Sequence, residues 1–372
     1  MSRPPEFPAR QLARPGRPLR LFRGGVIEDP VIAYERWGTL TPSRDNAVLL
    51  FTGLTPSAHA ASSALDPAHG WWESMIGPGR PIDTARFFVV CVNSIGSPWG
   101  SSSPASIDPR TGRTYAMSFP EVSVEDIARG GHEVLRSLGI ERARCVIGPS
   151  MGGMTALAYA VQFPDAAENL ISISGAAAAT PFAISLRSLQ REIVRSDPAW
   201  QGGQYEPGHG PRTGLRLARK LGTITYRSAE EWRQRFGRQR VTEPTPHASG
   251  FRAEFEVESY LEHQSIQFSE TFDANCFLNL SHAMDEFDMR DHGGGSFEIA
   301  FAKIRARRAL VIGVQTDMLF PLHQQREIAD TLRTGGGVDV EFHPFPSIQG
   351  HDSFLVDDDR FEPAIGTFLR KL

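Results

Sequence analysis

Residues 144–163 read as an apolar strand that runs without a break into Gly148-Pro-Ser150-Met-Gly152 and then into a helical stretch over 155–163. Few local patterns constrain a fold as tightly. A strand that turns straight into a helix brings the two elements too close for side chains at the crossing, so both sides of the turn need glycine. The turn then lifts the hydroxyl of Ser150 clear of the sheet. The helix start beneath it offers unpaired N–H groups and the positive end of a helix dipole to a developing oxyanion. Pro149 has no N–H to give a sheet, which fits only a strand that ends there. The short pattern alone also fits a plain turn with an idle serine, so its surroundings decide.

Those surroundings are rhythmic. Apolar strand-like runs recur at 47–51, 87–92, 144–147, 170–173, 309–312 and 338–342, with amphipathic helical stretches at 123–138, 323–332 and 360–369. Strands alternating with helices predict a mainly parallel sheet covered on both faces. Together with the turn at Ser150, this gives an α/β fold of the α/β-hydrolase kind. Residues 21–37, with Gly24-Gly25, read as an antiparallel hairpin on the sheet edge. Between about 181 and 295 the rhythm breaks. Arginine, glutamate and aromatic residues dominate, with helical pieces at 182–195, 215–221 and 254–268, and Gly293-Gly-Gly295 leads back to sheet-like sequence. The expected organisation is a flexible N-terminal arm over 1–20, a core from 21–180 and 296–372, and an inserted helical lid over 181–295 that roofs the site.

A length of 372 residues exceeds one ordinary domain and accommodates a large core with an insertion. A net charge of −4 argues against a nucleic-acid partner. No run approaches the roughly 18 apolar residues of a membrane span. The arginine- and proline-rich start lacks the apolar segment of a secretory signal. Cys91, Cys145 and Cys276 form no metal-spaced pair, and so sparse and odd a count suits a reducing, cytoplasmic compartment. The eleven histidines show no zinc-like cluster, so no metal is expected.

A serine hydroxyl is a poor nucleophile unless a base takes its proton and a carboxylate orients that base. In this fold class the chain order is serine, acid, histidine. Asp317 follows the strand at 309–312, in Gly313-Val-Gln-Thr-Asp317, and His351 follows the strand at 338–342, in Gly350-His-Asp-Ser-Phe354. Both lie beyond the carboxyl ends of strands, where open α/β sheets bind ligands. Taken alone, Asp317 could cap the helix near Pro321 and His351 could be a loop residue with a structural bond. Their joint placement after Ser150 favours a triad. The oxyanion donors are then the N–H of Met151 and that of Leu54, in the loop Thr52-Gly-Leu-Thr-Pro56 after the strand at 47–51.

Several longer stretches carry a resemblance. They are Thr52-Gly-Leu-Thr-Pro-Ser-Ala-His-Ala60, Gly70-Trp-Trp-Glu-Ser-Met-Ile-Gly-Pro-Gly79, Gly148-Pro-Ser-Met-Gly-Gly-Met154, Arg187-Ser-Leu-Gln-Arg-Glu192, Ala218-Arg-Lys-Leu-Gly-Thr-Ile-Thr-Tyr-Arg-Ser228, Phe320-Pro321 and Gly350-His-Asp-Ser-Phe-Leu-Val356. On these the chain resembles the homoserine O-acetyltransferase family over nearly its whole length, and most closely the family's serine O-acetyltransferase and serine O-succinyltransferase branches. The resemblance implies an acyl-CoA co-substrate with no further cofactor, a hydroxy amino acid acceptor, a covalent acyl-serine, a place in cysteine- or methionine-type amino-acid biosynthesis, and a homodimer. It also implies that Arg219 binds the acceptor carboxylate, Tyr226 supports that pocket and Asp352 holds the α-ammonium. A forked guanidinium suits a carboxylate. The alternative makes Arg219 one solvated charge in an arginine-rich lid, and its place in Ala218-Arg-Lys-Leu-Gly222 favours the binding role. One loop departs from the family. Where relatives carry Gly-Cys-x-Gly-Ser-Thr-Gly-Pro, this chain reads Asn93-Ser-Ile-Gly-Ser-Pro-Trp-Gly-Ser-Ser-Ser-Pro104. Pro98 and Trp99 replace small or basic residues and Ser103 replaces a glycine, so if that loop lines the acyl pocket, the relatives' donor preference does not carry over.

The competing readings are an esterase or thioesterase with the same triad and, in another class, a catalytically silent binding protein. A pocket for both charged ends of an amino acid discriminates against the esterase. The intact Ser150, Asp317 and His351 argue against the silent form.

Overall fold

The computed structural model describes residues 7–242 and 253–372. Eight strands form one sheet: β1 (Gln11–Ala13), β2 (Ile32–Trp37), β3 (Ala47–Phe51), β4 (Phe88–Val92), β5 (Cys145–Pro149), β6 (Asn169–Ile173), β7 (Arg308–Val314) and β8 (Asp339–Phe345). Their spatial order is β1-β2-β4-β3-β5-β6-β7-β8. Strands β1 and β2 pair antiparallel, as do β2 and β4, and every later pairing is parallel. Strands β3, β4, β5 and β6 are buried at every position, as expected where helices cover both faces.

The helices start where local chemistry allows. Helix α1 (Val124–Ser137) opens on a capping box between Ser123 and Asp126. Helix α2 (Met151–Gln162) begins directly after Ser150, four residues earlier than the sequence pattern predicts. Its early start follows from the glycines. A Cβ on Gly148 would lie 1.9 Å from the Gly152 carbonyl oxygen, so only glycine lets β5 and α2 meet there. After β6 the chain leaves the sheet through α3 (Pro181–Ser196), α4 (Arg212–Tyr226), α5 (Ala229–Phe236), α6 (Glu256–Thr271) and α7 (Ala274–Glu286). Helix α4 packs between α3 and α6, where Glu262 of α6 pairs with Arg216 and Lys220 of α4. The chain returns through α8 (Phe297–Phe301) to β7, and α9 (Leu322–Gly336), α10 (Ser353–Val356) and α11 (Asp358–Arg370) complete the cover.

Two expectations fail at the N-terminus. The stretch 7–20 is not a free arm, because Gln11–Ala13 is the edge strand β1, paired with β2. Residues 1–6 lie outside the described residues. The hairpin expected over 21–37 shrinks to two paired positions, Leu19 with Ile27 and Arg20 with Val26, in a separate ribbon. Its second half becomes β2, which sits inside the sheet against β4. Turn chemistry at Gly24-Gly25 is local, whereas the partner of β2 lies some fifty residues further on.

Among the described residues no group of three His, Cys, Asp or Glu is placed to share a metal ion, and no helix is long and apolar enough to cross a membrane.

Candidate active site

Ser150 stands between β5 and α2 with φ 58° and ψ −125°, a strained conformation for a residue with a side chain. Its own N–H is taken by the Ile173 carbonyl of the neighbouring β6 at 2.8 Å, which helps hold the strain in place. The side chain is lifted toward His351, whose Nε2 lies 2.8 Å from Ser150 Oγ. On the other side of the ring, Nδ1 lies 2.7 Å from Asp317 Oδ2. A carboxylate only accepts, so Nδ1 carries the proton and Nε2 is left free to accept from the serine hydroxyl.

Asp317 is held from behind. Its Oδ1 accepts the N–H groups of Leu319 and Phe320, each at 2.9 Å, so one oxygen braces the turn before α9 while the other faces the histidine. The Phe320 ring stacks on the imidazole with centroids 4.8 Å apart. All three side chains are buried. Burial alone would pull the His351 pKa down. The charge and hydrogen bond of Asp317 outweigh it, with help from Asp352 and against Arg187, and the pKa is held above the ordinary histidine value.

A cavity of about 150 Å³ opens in front of Ser150 and His351. A space of that size takes a molecule on the scale of benzene. Leu54, from the loop after β3, lines it, and Met151 is the first residue of α2, where the N–H has no partner within the helix. Arg219 of α4, Tyr226 at its end and Asp352 beside His351 line the same cavity. The Arg219 guanidinium lies 4.7 Å from the Phe268 ring centre and 5.5 Å from that of Tyr226, and its Nε has no hydrogen-bond partner among the described residues. Aromatic faces hold a cation in place without neutralising it. Burial pushes the Tyr226 phenol up, with Arg219 opposing and Asp352 adding to the rise. Burial likewise raises the Asp352 carboxyl above its usual range, against Arg227, His351 and Arg219.

The sequence reading overlooked part of this wall. Arg187 of α3 lines the cavity, and its Nε pairs with Asp285 at 2.5 Å. Arg191 takes the other Asp285 oxygen at 2.7 Å. Both arginines stand in the stretch 187–192 that carries the resemblance, but Asp285 lies 98 residues from Arg187 and nothing local announces it. The unusual loop at 93–104 contributes no residue to the cavity. Trp99 instead packs against Phe7 and Phe272, and its indole N–H donates to the Thr55 carbonyl at 2.9 Å. The departure from the family therefore stands one layer behind the pocket. Two of its serines turn inward: Ser102 Oγ accepts the N–H of Val31, just before β2, and Ser101 Oγ accepts that of Ala33 within β2 and donates to the Asn93 carbonyl, for which small hydroxyl side chains suffice.

A family model described as the alpha/beta hydrolase fold matches residues 46–334. A serine O-succinyltransferase of Litchfieldella anticariensis is 57% identical over 352 residues, covering 95% of this chain and 96% of that protein. An L-serine/homoserine O-acetyltransferase of Streptomyces lavendulae is 55% identical over 350 residues, covering 93% of each. Among solved structures, homoserine O-acetyltransferase from Bacillus anthracis superposes with a TM-score of 0.87 at 29% identity, covering 97% of both chains. The crystal structure of an esterase superposes with a TM-score of 0.85 at 28% identity, covering 97% of this chain and 99% of that one.

Proposed function

The chain belongs to the α/β-hydrolase family and, within it, to the homoserine O-acetyltransferase family near its serine O-acyltransferase branches, and from that premise we propose an acyl-CoA:L-serine or L-homoserine O-acyltransferase working through an acyl-Ser150 intermediate. Its class as an acyltransferase follows from the relatives. The acyl-CoA donor, the covalent route and the residue roles are our reading.

The chemistry follows from the geometry. His351 Nε2 takes the Ser150 proton as Oγ attacks the thioester carbonyl. The N–H groups of Leu54 and Met151 face the resulting oxyanion. The carbon–sulfur bond then breaks, and the departing thiol takes the proton back from His351. In the second half-reaction the acceptor's hydroxyl gives its proton to His351 and attacks the acyl carbonyl. Ser150 leaves with that proton, and the O-acyl amino acid is released.

The observation that carries this reading is the pairing of charges around one small cavity. Arg219 and Asp352 line the same 150 Å³ as Ser150, with opposite signs. A cation and an anion beside the nucleophile fit a zwitterion, and such an arrangement serves little purpose for a neutral ester. Hydrolysis by the same triad is the rival, since water competes for any acyl-enzyme and a solved esterase shares the architecture.

Mixing the enzyme with acetyl-CoA or succinyl-CoA alone should add one acyl mass, and Ser150→Ala should abolish both this adduct and turnover, the latter by about a million-fold. Arg219→Ala should slow transfer to the amino acid about ten- to hundredfold, the cost of a lost charge-assisted bond. Acylation and hydrolysis should persist in that variant. Intersecting initial-rate lines with no mass shift would remove the covalent route. An unchanged transfer rate in Arg219→Ala would remove Arg219 from the site and favour the esterase.

A further inference from the structure

Helix α4 ends at Tyr226 and α5 begins at Ala229, leaving Arg227 and Ser228 as an extended junction with φ/ψ of −114°/155° and −80°/157°. This junction presses on the turn that carries His351. The Ser228 hydroxyl donates to the Ile348 carbonyl. Arg227 Nη1 donates to Gln349 Oε1 at 2.7 Å, and its Nε lies 3.1 Å from Asp352 Oδ2. The approach is so close that a Cβ on Gly350, which has φ 66°, would lie 2.7 Å from the Tyr226 carbonyl oxygen. The helical insertion is thus fastened to the catalytic turn at this junction, and Arg227 is the charged part of the fastening.

Asp352 needs such a partner. An α-ammonium is held by an ionised carboxylate, and Asp352 is half-buried beside Asp317, whose charge opposes its ionisation. The groups that favour its charged form are Arg227, His351 when protonated, and Arg219, and Arg227 is the strongest of the three. The Tyr226 phenol also faces it. Arg227 itself is steered by Glu231, one turn into α5, at 3.9 Å. Arg219 is placed to bind the acceptor carboxylate, and the His351 proton shuttles during the reaction. Among the described residues, that leaves Arg227 as the cation free to hold Asp352 throughout.

We propose that Arg227 is the positioning residue of the acceptor pocket: it fixes the Asp352 carboxylate for the α-ammonium and locks the helical insertion onto the turn that carries His351. The proposal rests on the reading of Asp352 as the ammonium partner.

The test separates the half-reactions in the full-length enzyme. Arg227→Gln should raise the acceptor KM about ten- to hundredfold, as expected for a lost charge-assisted contact, and should lower acylation by acyl-CoA far less. The variant's acceptor KM should also become pH-dependent. With its main cation gone, Asp352 ionises only at higher pH, so acceptor binding should improve as pH rises. Arg227→Lys keeps the charge without the fork and should recover part of both effects. In an Asp352→Asn background, Arg227→Gln should add little, because the group it serves is already neutral. Equal losses in acylation and transfer with a flat pH profile, or losses that multiply in the double variant, would overturn the proposal and leave Arg227 a strut. If Arg227→Gln does not fold, the pH profile of Arg227→Lys decides in the same way. A wild-type enzyme that fails to transfer acyl groups to any hydroxy amino acid would sink the parent reading. A transferring wild type with an unchanged KM in Arg227→Gln sinks only this one.

Discussion

Among the described residues, two buried histidines lean on a carboxylate through Nδ1, and they are suited to opposite tasks. His351 lies 2.7 Å from Asp317, and its Nε2 faces the Ser150 hydroxyl. His59 lies 2.9 Å from Glu35, a buried residue of β2, and its Nε2 faces the Ala68 carbonyl at 2.9 Å. A hydroxyl can donate, so His351 can be neutral and serve as a base. A carbonyl oxygen only accepts, so beside an ionised Glu35 His59 satisfies both neighbours only as an imidazolium. Asp66 adds a second carboxylate at 3.7 Å from its Nδ1. Burial alone would lower the His59 pKa, but Glu35, the Ala68 carbonyl and Asp66 together raise it. The lesson is that a His–carboxylate pair is defined by what the far nitrogen meets. One pair is poised to move a proton, and the other fastens the loop from Leu54 to Trp71 to the sheet.

The largest test of this contrast is Asp317→Asn beside Glu35→Gln. The first should leave the fold intact and cut turnover about ten-thousand-fold, the loss attributed to a wrong tautomer in the serine-protease template. The second should alter turnover less than tenfold. Comparable losses in kcat/KM would erase the distinction between base and strut.

A smaller but clear effect is expected in stability. His59→Leu leaves the buried Glu35 and Asp66 without the imidazolium between them, with only the exposed Arg10 acting on Glu35, and removing one partner of a buried pair typically costs about 3–5 kcal/mol. Urea unfolding should show this cost, and Glu35→Gln added to His59→Leu should return part of it. If His59→Leu unfolds at the wild-type midpoint, the imidazolium assignment fails.

The smallest effect is in pH dependence, where the two histidines should pull in opposite directions. His351 must be neutral to act, so kcat/KM should rise with pH through a value above the ordinary 6.5 or so. The folded pKa of His59 is raised above its unfolded value, so its stabilisation is complete below about pH 6.5 and is lost as pH rises through the folded value. Between neutral and mildly alkaline pH, activity should climb while the urea midpoint falls. His59→Gln should reduce the stability slope, leaving the part that His351 contributes, without moving the activity profile. Loss of both slopes together would mean that the two sites titrate as one.

The candidate triad was legible because each member is marked by its local frame. Ser150 is set by its flanking glycines, and Asp317 and His351 by the strands that end just before them. The parallel strands of the core were legible for a related reason, since continuous apolar runs leave few other readings. The N-terminal strand β1 was not legible, because three residues carry no pattern and their pairing depends on β2. The Arg187–Asp285–Arg191 cluster and the grip of Arg227 on Asp352 were hidden for the same reason. Their partners lie 94 to 125 positions apart, and an arginine in the sequence looks the same whether it meets solvent or a carboxylate shielded from it.

The sequence alone determined the strained serine, because close approach of a strand and a helix is a steric demand on neighbouring residues, and Gly148, Ser150 and Gly152 answer it within five positions. It also marked the apolar runs that become β3 to β8 and the positions of the candidate triad. Only the tertiary structure decided which buried charges are neutralised, which histidine is free to lose a proton, and where the helical insertion is pinned. Charge and hydrogen-bond energies depend on distance through space and on exclusion of water, and neither is set until elements far apart in the chain have packed together.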